Sequence, residues 1–118
     1  MSENGNFKLE VHSLSDMKAG WFIGNFEPAV VRTAHVEVAV KRYPKGFVDE
    51  AHYHRISTEI TVIVSGRAKF NGQVCDQGSV VLVPPGLTVL FEAIDDVVTT
   101  VVKLPSVAAD KYLAALQI

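Results

Sequence analysis

The chain has 118 residues, of which 48% are hydrophobic and 20% charged, and its formal net charge is −2. That length suits one domain with one core, and the composition is not that of a disordered or membrane-embedded chain. The basic residues are scattered, so there is no electrostatic footprint for nucleic acid or an anionic membrane, and neither is expected as a partner.

The first 29 residues read as an arm. Its polar start has neither the basic residues nor the apolar stretch of a secretory leader, and no apolar run reaches the ~20 residues that span a bilayer. A cytoplasmic location is therefore the expectation, and the single cysteine, Cys75, agrees with a reducing compartment. Phe7, Leu9 and Val11 alternate and predict an outer strand. Trp21, Phe22, Ile23 and Phe26 show no period, so this stretch is read as packing over one end or face of the barrel, with Trp21 and Phe22 either lidding a cavity or, the commoner use of such aromatics, filling core or interface.

From 30 to 104 the signals are strand and turn at short spacing. Val36, Val38 and Val40 alternate with Glu37, Ala39 and Lys41, which predicts a strand with the valines inward and His35, Glu37, Ala39 and Lys41 toward solvent or an interface. Lys41, Arg42 and Lys45 read as a solvated turn beside Asp49 and Glu50. Asn71-Gly72 predicts a tight hairpin between strands at 68–70 and 73–75. Further strands are predicted at 79–83, 87–92 and 97–104, rich in β-branched residues. Many short strands divided by turns argue for an antiparallel sandwich or barrel. The tail, 105–118, contains Asp110-Lys-Tyr-Leu-Ala-Ala-Leu, read as a short helix that needs a docking surface.

One segment carries candidate chemistry. Residues two apart in a strand point the same way, so His52 and His54 share a face and Tyr53 points opposite, with a dimer contact its expected use. Glu59 opens the next apolar strand, with Thr61 and Ile63 on its side, and a hairpin between the two strands would set Glu59 beside the histidines. Two imidazoles and a carboxylate suit a borderline divalent cation such as iron, manganese, nickel, cobalt or zinc.

The segment resembles the first motif of the cupin superfamily: glycine, five residues, His-x-His, three or four residues, glutamate, six residues, glycine. Gly46, His52, His54, Glu59 and Gly66 meet every position. The second motif, glycine, five residues, Pro-x-Gly, two residues, histidine, is matched by Gly78, Pro84 and Gly86, but Val89 stands where the histidine belongs. The resemblance implies an all-β double-stranded β-helix, a jelly-roll barrel over about 30–104. It also implies a metal held by His52, His54 and Glu59 without the usual fourth ligand. By parity Val89 lies with Leu87 and Phe91 and makes that cavity wall apolar, while Thr61 offers a hydroxyl to a ligand.

The resemblance fixes a pocket rather than a reaction. One expectation is a metal-dependent enzyme, dioxygenase or isomerase in type, acting on a small oxygen-rich molecule. Another is a non-catalytic module that binds a small molecule or sugar. A third is metal-free carbohydrate chemistry with a histidine–carboxylate base. No acid or base beyond the ligands themselves is evident. Apolar residues on both faces of 97–104 imply burial on two sides and hence a homodimer. His12 and His35 are read as exposed, and Cys75 as a small packed residue.

Overall fold

The computed structural model describes residues 7–114. Its regular structure is almost entirely β. The strands are β1 (Trp21–Gly24), β2 (Val31–Arg32), β3 (Glu37–Tyr43), β4 (His52–Tyr53), β5 (Thr58–Ser65), β6 (Ala68–Phe70), β7 (Gln73–Cys75), β8 (Val80–Val83), β9 (Phe91–Ala93), β10 (Val97–Leu104) and β11 (Tyr112–Leu113). A six-stranded sheet runs β2-β1-β3-β10-β5-β8, antiparallel except for the parallel β1–β2 pair. Facing it, β7-β6-β9 and β11-β4 are tied by the antiparallel bridge between His52 and Val89. This is the jelly-roll barrel expected from the sequence.

Turn chemistry sets the register. Asn71 and Gly72 both have positive φ, 52° and 81°, the pairing a two-residue hairpin requires, and they join β6 to β7 as expected. Gly66 has φ +82°, and a Cβ there would meet the Asp96 carbonyl oxygen at 2.2 Å, so a side chain would push β5 off the turn before β10. The core gathers Ile63, Ala68, Phe70, Cys75, Val83, Val89, Phe91, Ala93 and Val97, with Tyr43, Phe47 and Val81 packed against it. Truncating a side chain as enclosed as Ile63 to alanine costs about 2–5 kcal/mol. Burial also raises the Cys75 thiol above its usual value, which agrees with a packing role.

Four expectations need correction. Trp21, Phe22 and Ile23 form β1 within the main sheet; a register shift between Trp21 and Ile23 hides the strand's period. Phe7, Leu9 and Val11 form no strand and are 84–94% exposed, for they meet no partner edge. Tyr112 and Leu113 are not helical but pair with Tyr53 and His52, so tertiary pairing overrides a marginal helix; residues 115–118 lie outside the described part. The valine stripe of β3 does not face inward. Glu37 and Ala39 are buried and Lys41 turns toward the barrel interior, while Val38 and Val40 lie on the outer face.

Candidate metal centre

The interior of the barrel holds a cavity of about 190 Å³. His52, His54 and Glu59 line it, and each offers one donor atom within 4.8 Å of the others. They arrive by separate routes. The His52 N–H donates to the Val89 carbonyl at 3.1 Å and the Val89 N–H to that of His52 at 2.8 Å. On the other side of β4, Tyr53 stacks on Tyr112 with ring centroids 5.3 Å apart. His54 follows β4 directly, and its carbonyl accepts the Gly86 N–H at 2.6 Å, so the two motifs are bonded to each other.

No hairpin joins β4 to β5. A loop does, pinned by one carboxylate: Asp110 accepts the backbone N–H groups of Arg55 at 2.9 Å, Ile56 at 3.1 Å and Ser57 at 2.9 Å. Burial alone would raise the Asp110 carboxyl, but these donors outweigh it and hold the group below its usual value. The loop delivers Glu59 on β5 with its side chain inward, in line with Thr61 and Ile63. His54 Nδ1 lies 3.8 Å from Glu59 Oε1.

The donors fit a divalent ion. His52 Nδ1 is 2.8 Å from the Glu50 carbonyl, a contact made when Nδ1 carries the proton, which leaves Nε2 with a free lone pair. Thr61 donates its hydroxyl to Glu59 Oε2 at 3.0 Å and leaves Oε1 available. Burial, then Lys103 and His52, push His54 down to about 4, so at neutral pH its imidazole is uncharged, the form that can donate a lone pair to a metal. The 3.8 Å between His54 and Glu59 exceeds the roughly 3 Å between donors that share an ion held at about 2.1 Å, so binding requires the side chains to close in. One contact competes: Lys103 Nζ lies 3.4 Å from His54 Nε2.

Val89 and Phe91 are each 7% exposed and line the cavity, whereas Leu87 is 45% exposed in the preceding turn and does not. Several lining residues carry no signal in the sequence motifs. Trp21 forms part of the wall. Lys41 and Lys103 each hold the ammonium 5.1 Å from its ring centroid. Lys103 also pairs with Glu37 at 3.5 Å, and Glu37 accepts the Ser106 hydroxyl at 2.7 Å. Tyr43 is raised to about 12 by burial, with Asp49 and Glu59 adding, so its phenol stays protonated. The alternation along β3 was the available signal, hidden because a charged face ordinarily meets solvent. His35 is exposed, and His12 is exposed beside Glu10, 3.1 Å away.

The family model described as Cupin matches residues 21–115. The chain belongs to the cupin family. No functionally curated protein matches it. Among solved structures, it resembles an uncharacterized conserved protein with a double-stranded β-helix domain from Klebsiella pneumoniae, with 17% identity, TM-score 0.68, and coverage of 97% of this chain and 98% of that one. It is also similar to the DMSP lyase DddQ of Ruegeria pomeroyi, with 19% identity, TM-score 0.67, and coverage of 80% and 49%. A third similar structure is the bacterial pirin YhhW of Escherichia coli in complex with nickel(II), with 12% identity, TM-score 0.61, and coverage of 75% and 39%. At these identities the cupin's likeness to them concerns the fold.

Proposed function

We propose that this cupin holds one divalent metal ion with His52, His54 and Glu59 and uses it to bind, and in the enzymatic reading transform, a small oxygen-rich molecule. The convergence of two imidazoles and one carboxylate, all within 4.8 Å inside a barrel, carries the reading. The nickel complex of the pirin neighbour supports it as an example of metal in this fold. Iron, manganese, nickel, cobalt and zinc all suit the donor set. When bound, such an ion supplies Lewis acidity and, if iron or another redox metal, electron-transfer chemistry.

The other roles fall to the chain's own side chains. Glu50 and Thr61 fix the orientation of His52 and Glu59. Val89, Phe70 and Phe91 keep one wall dry, and Lys103 places a proton donor 3.4 Å from His54. A cavity of about 190 Å³ is smaller than the roughly 300–1,000 Å³ of pockets for drug-sized ligands, which favours a small metabolite. Elemental analysis of untagged protein tests the reading: wild type retains metal, while His52→Ala and Glu59→Ala retain only traces. Equal trace contents in all three would overturn it.

The Lys103–His54 contact favours a second reading, a metal-free pocket in which Lys103, His54 and Glu59 bind the ligand directly without turnover. Metal content separates the two. In either reading the cupin pairs with a second copy of itself through the outer face of the six-stranded sheet. There Ile60, Val62, Val80, Leu82 and Val102 lie side by side, and Leu82 and Val80 are 62% and 67% exposed.

A further inference from the structure

The wall opposite the histidines carries a feature that the metal does not use. Lys41 on β3 and Thr99 on β10 are direct cross-strand partners, and both line the cavity beside Trp21. Thr99 is 1% exposed, and its hydroxyl is the one buried side-chain polar atom without a partner among the described residues. A sealed hydroxyl without a bond costs about 1–3 kcal/mol, so such groups ordinarily meet a ligand or water. The two other cavity lysines are matched by acids: Lys103 by Glu37 at 3.5 Å and Lys111 by Asp49 at 3.9 Å. Among the described residues, Lys41 has neither an ion pair nor a side-chain hydrogen bond.

We infer that Lys41 and Thr99 form an anion subsite, and that the ligand of this cupin is a small carboxylate whose far end reaches the His52–His54–Glu59 triad. The second half of that statement rests on the metal reading; the first does not. With its acids and lysines paired off, the cavity is left with Lys41 against Glu59, and a bound divalent ion would make it net positive. An anion is the ligand that balances it. Burial, with Lys103 and Lys111 nearby, lowers Lys41 from its usual value, a cost that a carboxylate beside it offsets. The subsite would recognise carboxylate oxygens by charge from Lys41 and by one hydroxyl donor from Thr99.

Trp21 is the only tryptophan, so its emission reports on the cavity. The experiment titrates malonate and its uncharged isostere malonamide into metal-free protein, and then into protein loaded with zinc and freed of excess ion. Malonate is expected to give a saturable change in emission, with malonamide about tenfold weaker or worse. Lys41→Met and Thr99→Val should each weaken malonate by a comparable factor while leaving zinc uptake intact. Equal binding of malonate and malonamide, no malonate binding, or undiminished malonate binding in folded Lys41→Met would overturn the subsite. If Lys41→Met does not fold, the malonate–malonamide comparison in wild type decides alone. Malonate binding that depends on Lys41 in a protein that takes up no zinc would sink the metal reading and leave the subsite standing. Zinc uptake with no discrimination between the two probes would do the reverse.

Discussion

Val89 and His52 exchange both backbone hydrogen bonds, at 2.8 and 3.1 Å, so the residue in the place of the missing histidine is held directly beside the first candidate ligand. The valine is 7% exposed and lines the cavity. Val89→His should therefore add a fourth donor at the right wall. The expected result is tighter binding, on the order of tenfold or more, in competition with a chromophoric chelator. Without metal the variant should be less stable by about 1–3 kcal/mol, because an imidazole replaces an apolar contact.

Asp110 ties the loop that carries His54 toward Glu59. Asp110→Ala leaves three backbone donors without their carboxylate and should lower stability by about 2–3 kcal/mol, read as a drop in Tm or denaturation midpoint. The same group sets an acid dependence. Its folded value lies below the ordinary 3.8, so its contribution is fully present above about pH 4 and is lost as pH falls through the folded value. Asp110→Asn should flatten this part of the acid unfolding curve; an unchanged curve would count against the pin.

Lys103 is half of a nearly enclosed ion pair with Glu37. Lys103→Met removes the cation but leaves the carboxylate buried, with Ser106 its remaining partner. A loss of about 2–4 kcal/mol is expected in chemical denaturation, and Glu37→Gln in the same background should restore part of it. Additive effects of the two changes would show that the pair is not coupled.

Much of the fold is legible in local chemistry. Asn71-Gly72 places its hairpin because few other dipeptides accept two positive φ values, and 97–104 reads as a strand because β-branched residues fill it. The spacing of His52, His54 and Glu59 names the three residues that the barrel brings together. The opposite wall is illegible by the same logic. Hydropathy sends Lys41 and Glu37 to solvent, but a barrel with a polar cavity turns them inward and leaves Val38 and Val40 outside. The role of Asp110 also escapes the sequence, since its partners lie more than fifty residues away.

The outer valine face has its own test. Leu82→Lys and Val80→Lys sit on β8 and touch nothing in the cavity. Wild type should sediment as a dimer at micromolar concentration and the double variant as a folded monomer. A monomeric wild type would end the pairing proposal.

The proposed function requires that two imidazoles and one carboxylate bind a single ion. Titration of metal-free protein with cobalt(II), followed by visible absorption, tests it most directly. Wild type should give d–d bands that saturate at about one ion per chain, and Glu59→Ala and His52→Ala should give none. Bands that never saturate, or that appear equally in the two variants, would contradict it.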